Sequence, residues 1–167
     1  SLSKSYDIEH FNLREFPIDS INGEPDLNKQ IILLNSFDLI ILAKPRQRFS
    51  ELDIWLIDQY LMNNGKGIFM LDAVYADMDS LSYSPEFLAY PILDRINLSD
   101  PLFNYGVRIN TSLIQDMVCA TLNDRKSIIP WLYFPLILPQ TDHPIGKNLN
   151  AIKLEFATAM DSIRAIG

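Results

Sequence analysis

The fold prediction rests on FDLIILAKP (residues 37–45) and GKGIFMLD (residues 65–72), two apolar runs of strand length that each stop at a charged residue. Residues 50–64 between them repeat apolar side chains at helical spacing. Strands that are apolar throughout are usually covered on both faces, as in a parallel sheet, and two parallel strands need a helical crossover of this length. The sequence therefore predicts an α/β core, with any ligand site beyond the strand ends near Lys44 and Asp72.

The helix predicted over residues 50–64 has recognisable ends. Ser50 is a good N-cap residue, and Asp53 stands three residues later, which is close to a capping box. Gly65 is expected to end the helix as a left-handed cap.

The sequence predicts shorter strands in other parts of the chain. Strands are expected over residues 6–13, 107–109, 113–121 and 151–156. Residues 128–138 are apolar and aromatic but contain Pro130 and Pro135. Because proline cannot donate a ladder hydrogen bond, this segment is predicted to be an edge strand or an extended cover.

The composition is that of an ordinary globular chain with an acidic balance. The 167 residues are 48% apolar, which suits one domain, predicted to cover residues 1–167. The formal net charge of −7 disfavours nucleic acid and anionic lipid as partners. Cys119 is the one cysteine, so an internal disulfide is excluded. No apolar stretch reaches the ~20 residues of a bilayer helix, and any membrane anchor is expected outside these residues.

Motifs of the common enzyme classes are missing from the sequence. It contains no nucleophile elbow, no P-loop, no GxGxxG and no HExxH. The two histidines, His10 and His143, are far apart and lack metal-ligand spacing. We therefore predict no catalytic residue, no metal site and no cofactor.

Five residues remain as candidates for ligand binding: Lys44, Arg46, Asp72, Asp116 and His143. Lys44 and Arg46 follow a strand and could receive an anionic partner or form a solvated turn. Asp72 could contact a ligand at the sheet edge or cap the following turn. Asp116 interrupts a predicted strand, where it could face outward, pair with a cation such as Arg108, or act in catalysis. His143 precedes a proline in a loop, where a turn role competes with a catalytic one.

Short motifs in a fixed order carry a family resemblance. They are FSE (49–51), LIDQYLM (56–62), NLSD (97–100), LFNYGVRIN (102–110), LIQD (113–116), FPL (134–136), HPI (143–145) and KNL (147–149). In this order they resemble the soluble region of the gliding-motility-associated ABC transporter auxiliary proteins of Bacteroidetes-type bacteria. The resemblance runs over nearly the whole chain.

The resemblance implies a fold and a cellular setting. The implied fold is a three-layer α/β domain with a mostly parallel sheet, similar to flavodoxin-like and class I glutamine-amidotransferase-like domains, with extra C-terminal strands. The amidotransferase cysteine nucleophile has no counterpart here, so that activity is not expected. The implied setting is the extracytoplasmic (periplasmic) face of the inner membrane, where a membrane-anchored protein acts beside an ABC permease and its ATPase.

We therefore predict a non-catalytic auxiliary domain, substrate-binding or scaffolding, of an ABC transport system linked to gliding motility. Its predicted partners are the permease and ATPase subunits and a small-molecule ligand. Two alternatives stay open. One is a carbohydrate- or nucleotide-binding module at the carboxyl edge of the sheet, and the other is a hydrolase that uses Asp72, Asp116 or His143.

Overall fold

The computed structural model of the chain describes residues 2–19, 23, 25–79, 89–123, 127–139, 142–144 and 146–163. The chain divides into two compact units, Ser1–Leu71 and Asp72–Gly167, which we call unit 1 and unit 2. The single domain expected over residues 1–167 stays a prediction. In the part of the chain that the structure describes, no helix is long and apolar enough to cross a membrane.

Unit 1 contains the predicted strand–helix–strand arrangement. Its elements are helix α1 (Leu27–Leu34), strand β1 (Ile40–Ala43), helix α2 (Glu51–Met62) and strand β2 (Gly67–Met70). β1 and β2 run parallel, with Ile41 opposite Ile68. The parallel pair and its helical crossover are therefore confirmed.

Hydrogen bonds close both ends of α2. The Ser50 hydroxyl accepts the N–H of Asp53 at 3.1 Å, and the Asp53 carboxylate accepts the N–H of Ser50 at 2.8 Å, so the predicted capping box is confirmed. At the other end, the N–H of Asn64 donates to the Leu61 carbonyl at 3.2 Å, and the N–H of Gly65 donates to the Tyr60 carbonyl at 3.0 Å. This second pair of bonds is a Schellman motif.

The left-handed residue that ends α2 is Asn64. Its φ is +66°, a conformation that asparagine tolerates better than most residues. The prediction that Gly65 takes this conformation is wrong. Gly65 is instead the point where the backbone passes the ring of Tyr60, so that a Cβ at this position would overlap the ring.

The core of unit 1 centres on three side chains from its two helices. Leu34 and Leu56 are buried beside Tyr60, and Ile40 of β1 packs against them. The Tyr60 hydroxyl donates to the Phe37 carbonyl at 3.0 Å and accepts the N–H of Lys66 at 3.2 Å. One buried side chain therefore fixes the segments that lead into both strands.

Residues 6–13 do not form the predicted strand. Gln30 of α1, which is 1% exposed, donates from its side-chain amide to the carbonyls of Asn12 at 3.2 Å and Leu13 at 3.3 Å. The N-terminal segment is thus held by a side chain of α1 where a strand would need a neighbouring backbone.

One face of the β1–β2 sheet is exposed. Ile40 packs into the core, whereas Ile41, Ile68 and Met70 are 47%, 46% and 49% exposed. The expectation that these strands are covered on both faces is therefore wrong.

The predicted three-layer, mostly parallel sheet of flavodoxin-like or amidotransferase-like type is also wrong. Among the described residues, β1 and β2 are the only strands that pair in parallel, and the others form separate small antiparallel sheets. A parallel sheet needs a crossover of a dozen or so residues, usually a helix, for each added strand. Unit 2 contains helix α3 (Ser99–Asn104). The described pairings of unit 2 are all antiparallel, and they add no strand to the parallel pair.

Unit 2 holds the antiparallel sheets. Its described strands are β3 (Val74–Tyr75), β4 (Tyr90–Pro91), β5 (Val107–Leu113), β6 (Cys119–Asn123), β7 (Ile128–Ile137), β8 (Ile152–Lys153) and β9 (Thr158–Ser162). β3 pairs with β4, β5 pairs with β9, and β7 lies between β6 and β8. Buried Ile96, Leu98 and Leu102 contribute to the core of this unit.

β7 pairs with β6 from Ile128 onward but with β8 only at Leu136 and Ile137, so the prediction of an edge strand over residues 128–138 is wrong for the C-terminal end of β7. Pro135 lies opposite Cys119 and Pro130 opposite Thr121, on either side of a register shift between β6 and β7. The ladder tolerates both prolines because it is irregular there. The strand predicted over residues 113–121 likewise stops at Leu113 and resumes at Cys119.

Candidate functional site

A cleft of about 280 Å³ opens in unit 1 where the chain leaves β1. Residues 11–14 and residues 45–47 line it, together with Phe49 and Asp53. It therefore lies beyond the carboxyl end of a parallel strand, which is where the sequence predicted a ligand site.

The cleft combines apolar and polar lining groups. Phe49 is buried and Phe11 and Leu13 are half-buried, whereas Arg46 and Gln47 are exposed. Ligand sites in proteins typically have this composition, with mostly apolar walls and a few polar groups that fix orientation.

Arg14 and Asp53 form an ion pair in the lining. Nε and Nη2 of Arg14 donate to Oδ2 of Asp53 at 3.1 and 2.9 Å. Nη2 also donates to the Arg48 carbonyl at 2.6 Å, and Nη1 donates to Oε1 of Gln47 at 3.4 Å. The same Asp53 oxygen accepts the N–H of Ser50. One carboxylate thus joins the N-terminal segment, the loop after β1 and the first turn of α2.

The Asp53 carboxylate is buried and ionised. Burial raises the pKa of Asp53, but hydrogen bonds from Arg14 and Ser50 outweigh this, and the pKa lies below its usual value. This carboxylate and the Ser50 hydroxyl satisfy two backbone N–H groups at the start of α2, those of Ser50 and Asp53.

The stability contributed by Asp53 is expected to depend on pH. A depressed pKa gives stability that is present above the unfolded value of about 4 and is lost as the pH falls through the folded value. At pH 7 we expect Asp53→Asn to lower the free energy of unfolding by about 1.5 kcal/mol, since the bonds are charge-assisted but Arg14 is half exposed. Urea denaturation at pH 7, 5 and 3 measures the difference.

The difference between wild type and Asp53→Asn should stay constant from pH 7 to 5 and shrink at pH 3. Using a difference removes the contribution of Asp26, whose pKa is lowered by the backbone N–H of Lys29 at the start of α1. A difference that grows toward pH 3 would contradict the assignment of Asp53 as the stabilising carboxylate.

Lys44 turns the chain out of β1 in an unusual conformation. Its φ is +45°, although a residue before proline normally stays extended. A left-handed conformation costs a non-glycine residue roughly 1 kcal/mol or more. The N–H of Lys44 donates to the Met70 carbonyl at 2.8 Å, which helps to hold the turn that leads into the cleft lining.

The five residues predicted to bind a ligand lie in both units. Lys44 and Arg46 belong to unit 1, and Arg46 lines the cleft. Asp72, Asp116 and His143 belong to unit 2.

Asp116 and His143 are exposed turn residues, and Asp72 is half-buried. The Asp116 carboxylate accepts the N–H of Val118 at 2.8 Å, and the His143 carbonyl accepts the N–H of Gly146 at 2.9 Å. The exposure of Asp116 fits the outward-facing alternative, and the bond to the His143 carbonyl fits the turn role that the sequence left open for His143. No group of three or more His, Cys, Asp or Glu side chains that could hold a metal ion occurs within the described ranges.

Sequence reasoning misses Arg14 and gives Asp53 only a capping role. The capping box is a local signal, since Ser50 and Asp53 are three residues apart. The partner of Arg14 lies 39 residues further along the chain, and nothing in the sequence around either residue indicates the pairing.

Comparison with known proteins gives one family match. A family model described as an ABC-type uncharacterized transport system matches residues 1–165. No curated protein and no solved structure matches the chain.

Proposed function

The chain belongs to the auxiliary family of the ABC-type uncharacterized transport system, and on this premise we propose that it is a non-catalytic binding or scaffolding component of an ABC transporter. The match over residues 1–165 carries the proposal. The family implies association with transporter components, and we propose that these are the permease and ATPase subunits.

Two observations support a non-catalytic role. The 167 residues contain no P-loop, so ATP hydrolysis would be the work of a partner subunit. In the cleft, the pKa of the Asp53 carboxyl is lowered by its bonds to Arg14 and Ser50. A general acid or base works best when its pKa lies near the operating pH, so Asp53 is poorly suited to proton transfer near pH 7.

The finer parts of the proposal come from the sequence resemblance. We propose that the transporter serves gliding motility and that residues 1–167 work on the extracytoplasmic face of the inner membrane. The net charge of −7 supports contact with protein subunits over contact with anionic lipid headgroups, which would repel the chain.

Co-purification from the native host tests the proposal. The tagged protein is cross-linked in cells and purified from detergent-solubilised membranes, and its partners are quantified by mass spectrometry against an untagged strain. We expect the permease and ATPase subunits of one ABC transporter to be enriched. Recovery of the protein without any ABC subunit would contradict the proposed association.

Protease accessibility in spheroplasts tests the proposed extracytoplasmic location. Protease added to spheroplasts should cleave the protein, as it should in lysed cells. Protection in spheroplasts with cleavage after lysis would overturn the proposed extracytoplasmic location. It would not affect the proposed association with the transporter, which the co-purification experiment tests.

A further inference from the structure

We infer that the outer face of α2 docks a basic, amphipathic helix of a transporter subunit. The face is formed by Leu52, Trp55, Gln59 and Met62, and we call it the α2 stripe. The inference rests on the proposed association with an ABC transporter. It names the surface of this chain that makes the contact and the chemistry of the partner.

The α2 stripe is a continuous row on one side of the helix. Its four residues follow one another at intervals of three, four and three, so they share one face of an α-helix. The row from Leu52 to Met62 is about 15 Å long. Leu52, Trp55 and Met62 are 37%, 41% and 65% exposed, whereas Leu56 and Tyr60 of the same helix point into the core.

The composition of α2 is typical of a helix that is covered on several sides. Eight of its twelve residues are apolar, and a helix that is apolar around most of its circumference is normally buried. Trp55 and Met62 belong to residue types that are enriched where proteins bind one another. The exposed stripe therefore has the character of an interface.

The geometry of the stripe favours a helix as its occupant. An extended strand binds through hydrogen bonds to a partner's backbone, but the backbone groups along the middle of a helix are bonded within that helix. A partner helix satisfies its own backbone groups and packs its side chains between those of the stripe. About three turns of such a helix match the length of the stripe.

The charge of the chain favours a basic partner. α2 contains three acids and no Lys or Arg, and the whole chain carries −7, a sum in which every ion pair counts as zero. A second copy would therefore bring together two chains of like charge, which opposes association. A helix that lies on a membrane surface carries Lys and Arg on its polar face, which α2 lacks. The complementary partner is a helix whose apolar stripe is flanked by Lys or Arg.

Photo-cross-linking in the native host tests the contact. The full protein is expressed with p-benzoylphenylalanine in place of Trp55 or, as a control, in place of Ile32, an exposed isoleucine of α1. After irradiation, the cross-linked peptides are identified by mass spectrometry. We expect adducts of position 55 with a permease or ATPase segment that has apolar residues at helical spacing and neighbouring Lys or Arg. No such adduct is expected at position 32.

Several results would overturn the inference. Adducts of position 55 with peptides of this chain would identify a second copy as the occupant, and adducts with lipid would identify the membrane. The absence of a subunit adduct at position 55, or equal adducts at both positions, would exclude the stripe as the contact. If the permease and ATPase are still enriched on co-purification, the proposed function stands although the inference has failed.

Two matched variants measure the contribution of the stripe. Met62→Gln and Met70→Gln make the same change at exposed positions, but Met70 lies on β2, outside the stripe. We expect Met62→Gln to lower the amount of co-purified transporter subunits about fivefold and Met70→Gln to lower it by less than about twofold. Equal losses would contradict a specific role of the stripe.

The salt dependence of binding tests the charge of the partner. The cross-linked segment is made as a synthetic peptide and titrated onto the purified protein, and binding is followed by NMR chemical shifts. We expect shifts centred on residues 51–62 and an affinity at least about fivefold weaker in about 0.5 M than in about 0.05 M NaCl, because salt screens the attraction between opposite charges. An affinity that salt leaves unchanged or strengthens would overturn the basic partner.

Discussion

The Gly65→Ala variant is expected to lose about 3 kcal/mol of unfolding free energy, the upper end of what overpacking usually costs. A Cβ added at this position would overlap Cδ1, Cε1 and Cζ of Tyr60. The ring cannot move aside, because Tyr60 is 1% exposed and its hydroxyl is bonded to the backbone of Phe37 and Lys66. Urea denaturation followed by circular dichroism measures the loss.

A second background tests the cause of that loss. In a Tyr60→Leu protein the ring is gone, so adding Gly65→Ala should cost about 1 kcal/mol or less, and the two substitutions should be strongly non-additive. Gly65 has no positive φ, so alanine suits its backbone. The same cost in both backgrounds would place the strain in the backbone of residue 65 and contradict the account.

The strand–helix–strand part of unit 1 could be predicted because its signals are local. The apolar runs define β1 and β2, and Ser50 with Asp53 defines the start of α2. The end of α2 shows the limit of such signals. Asn64 and Gly65 both tolerate a left-handed conformation, and the local sequence does not indicate that Asn64 adopts it while Gly65 lies against the Tyr60 ring.

The size of the sheet could not be predicted from the same signals. An apolar run has the same appearance in a two-stranded sheet with one exposed face as in the middle of a wide parallel sheet. Ile41 and Ile68 are nearly half exposed, and nothing in their sequence neighbourhood distinguishes them from buried strand residues. The described strands of unit 2 form antiparallel sheets of their own, and none of them pairs with β1 or β2.

The candidate site also contains residues that local sequence signals predict and residues that they miss. Arg46 was predicted because it directly follows a strand end, and it lines the cleft. Arg14 and the apolar residues Phe11 and Leu13 were missed, because their segment joins the site through tertiary contacts with Gln30 and Asp53. Contacts between distant parts of the chain leave no periodic trace in the sequence.

The Leu56→Ala variant is expected to lower the free energy of unfolding by about 3 kcal/mol, because a large buried side chain is removed and a cavity remains. Leu56 is 0% exposed and packs with Leu34 and Tyr60 in the core of unit 1. The same helix also carries Asp53, so loosening its packing should disturb the cleft. Urea denaturation at pH 7 gives the loss.

Leu52→Ala is the matched control, since it makes the same substitution one turn earlier in α2. Leu52 is 37% exposed, so its side chain buries less apolar area than that of Leu56. We therefore expect Leu52→Ala to lower the free energy of unfolding by less than about 1 kcal/mol. Helix propensity cannot explain a difference between the variants, because both exchange leucine for alanine inside one helix. Equal losses would mean that the outer face of α2 is covered in solution, and the burial pattern that defines the core of unit 1 would be wrong.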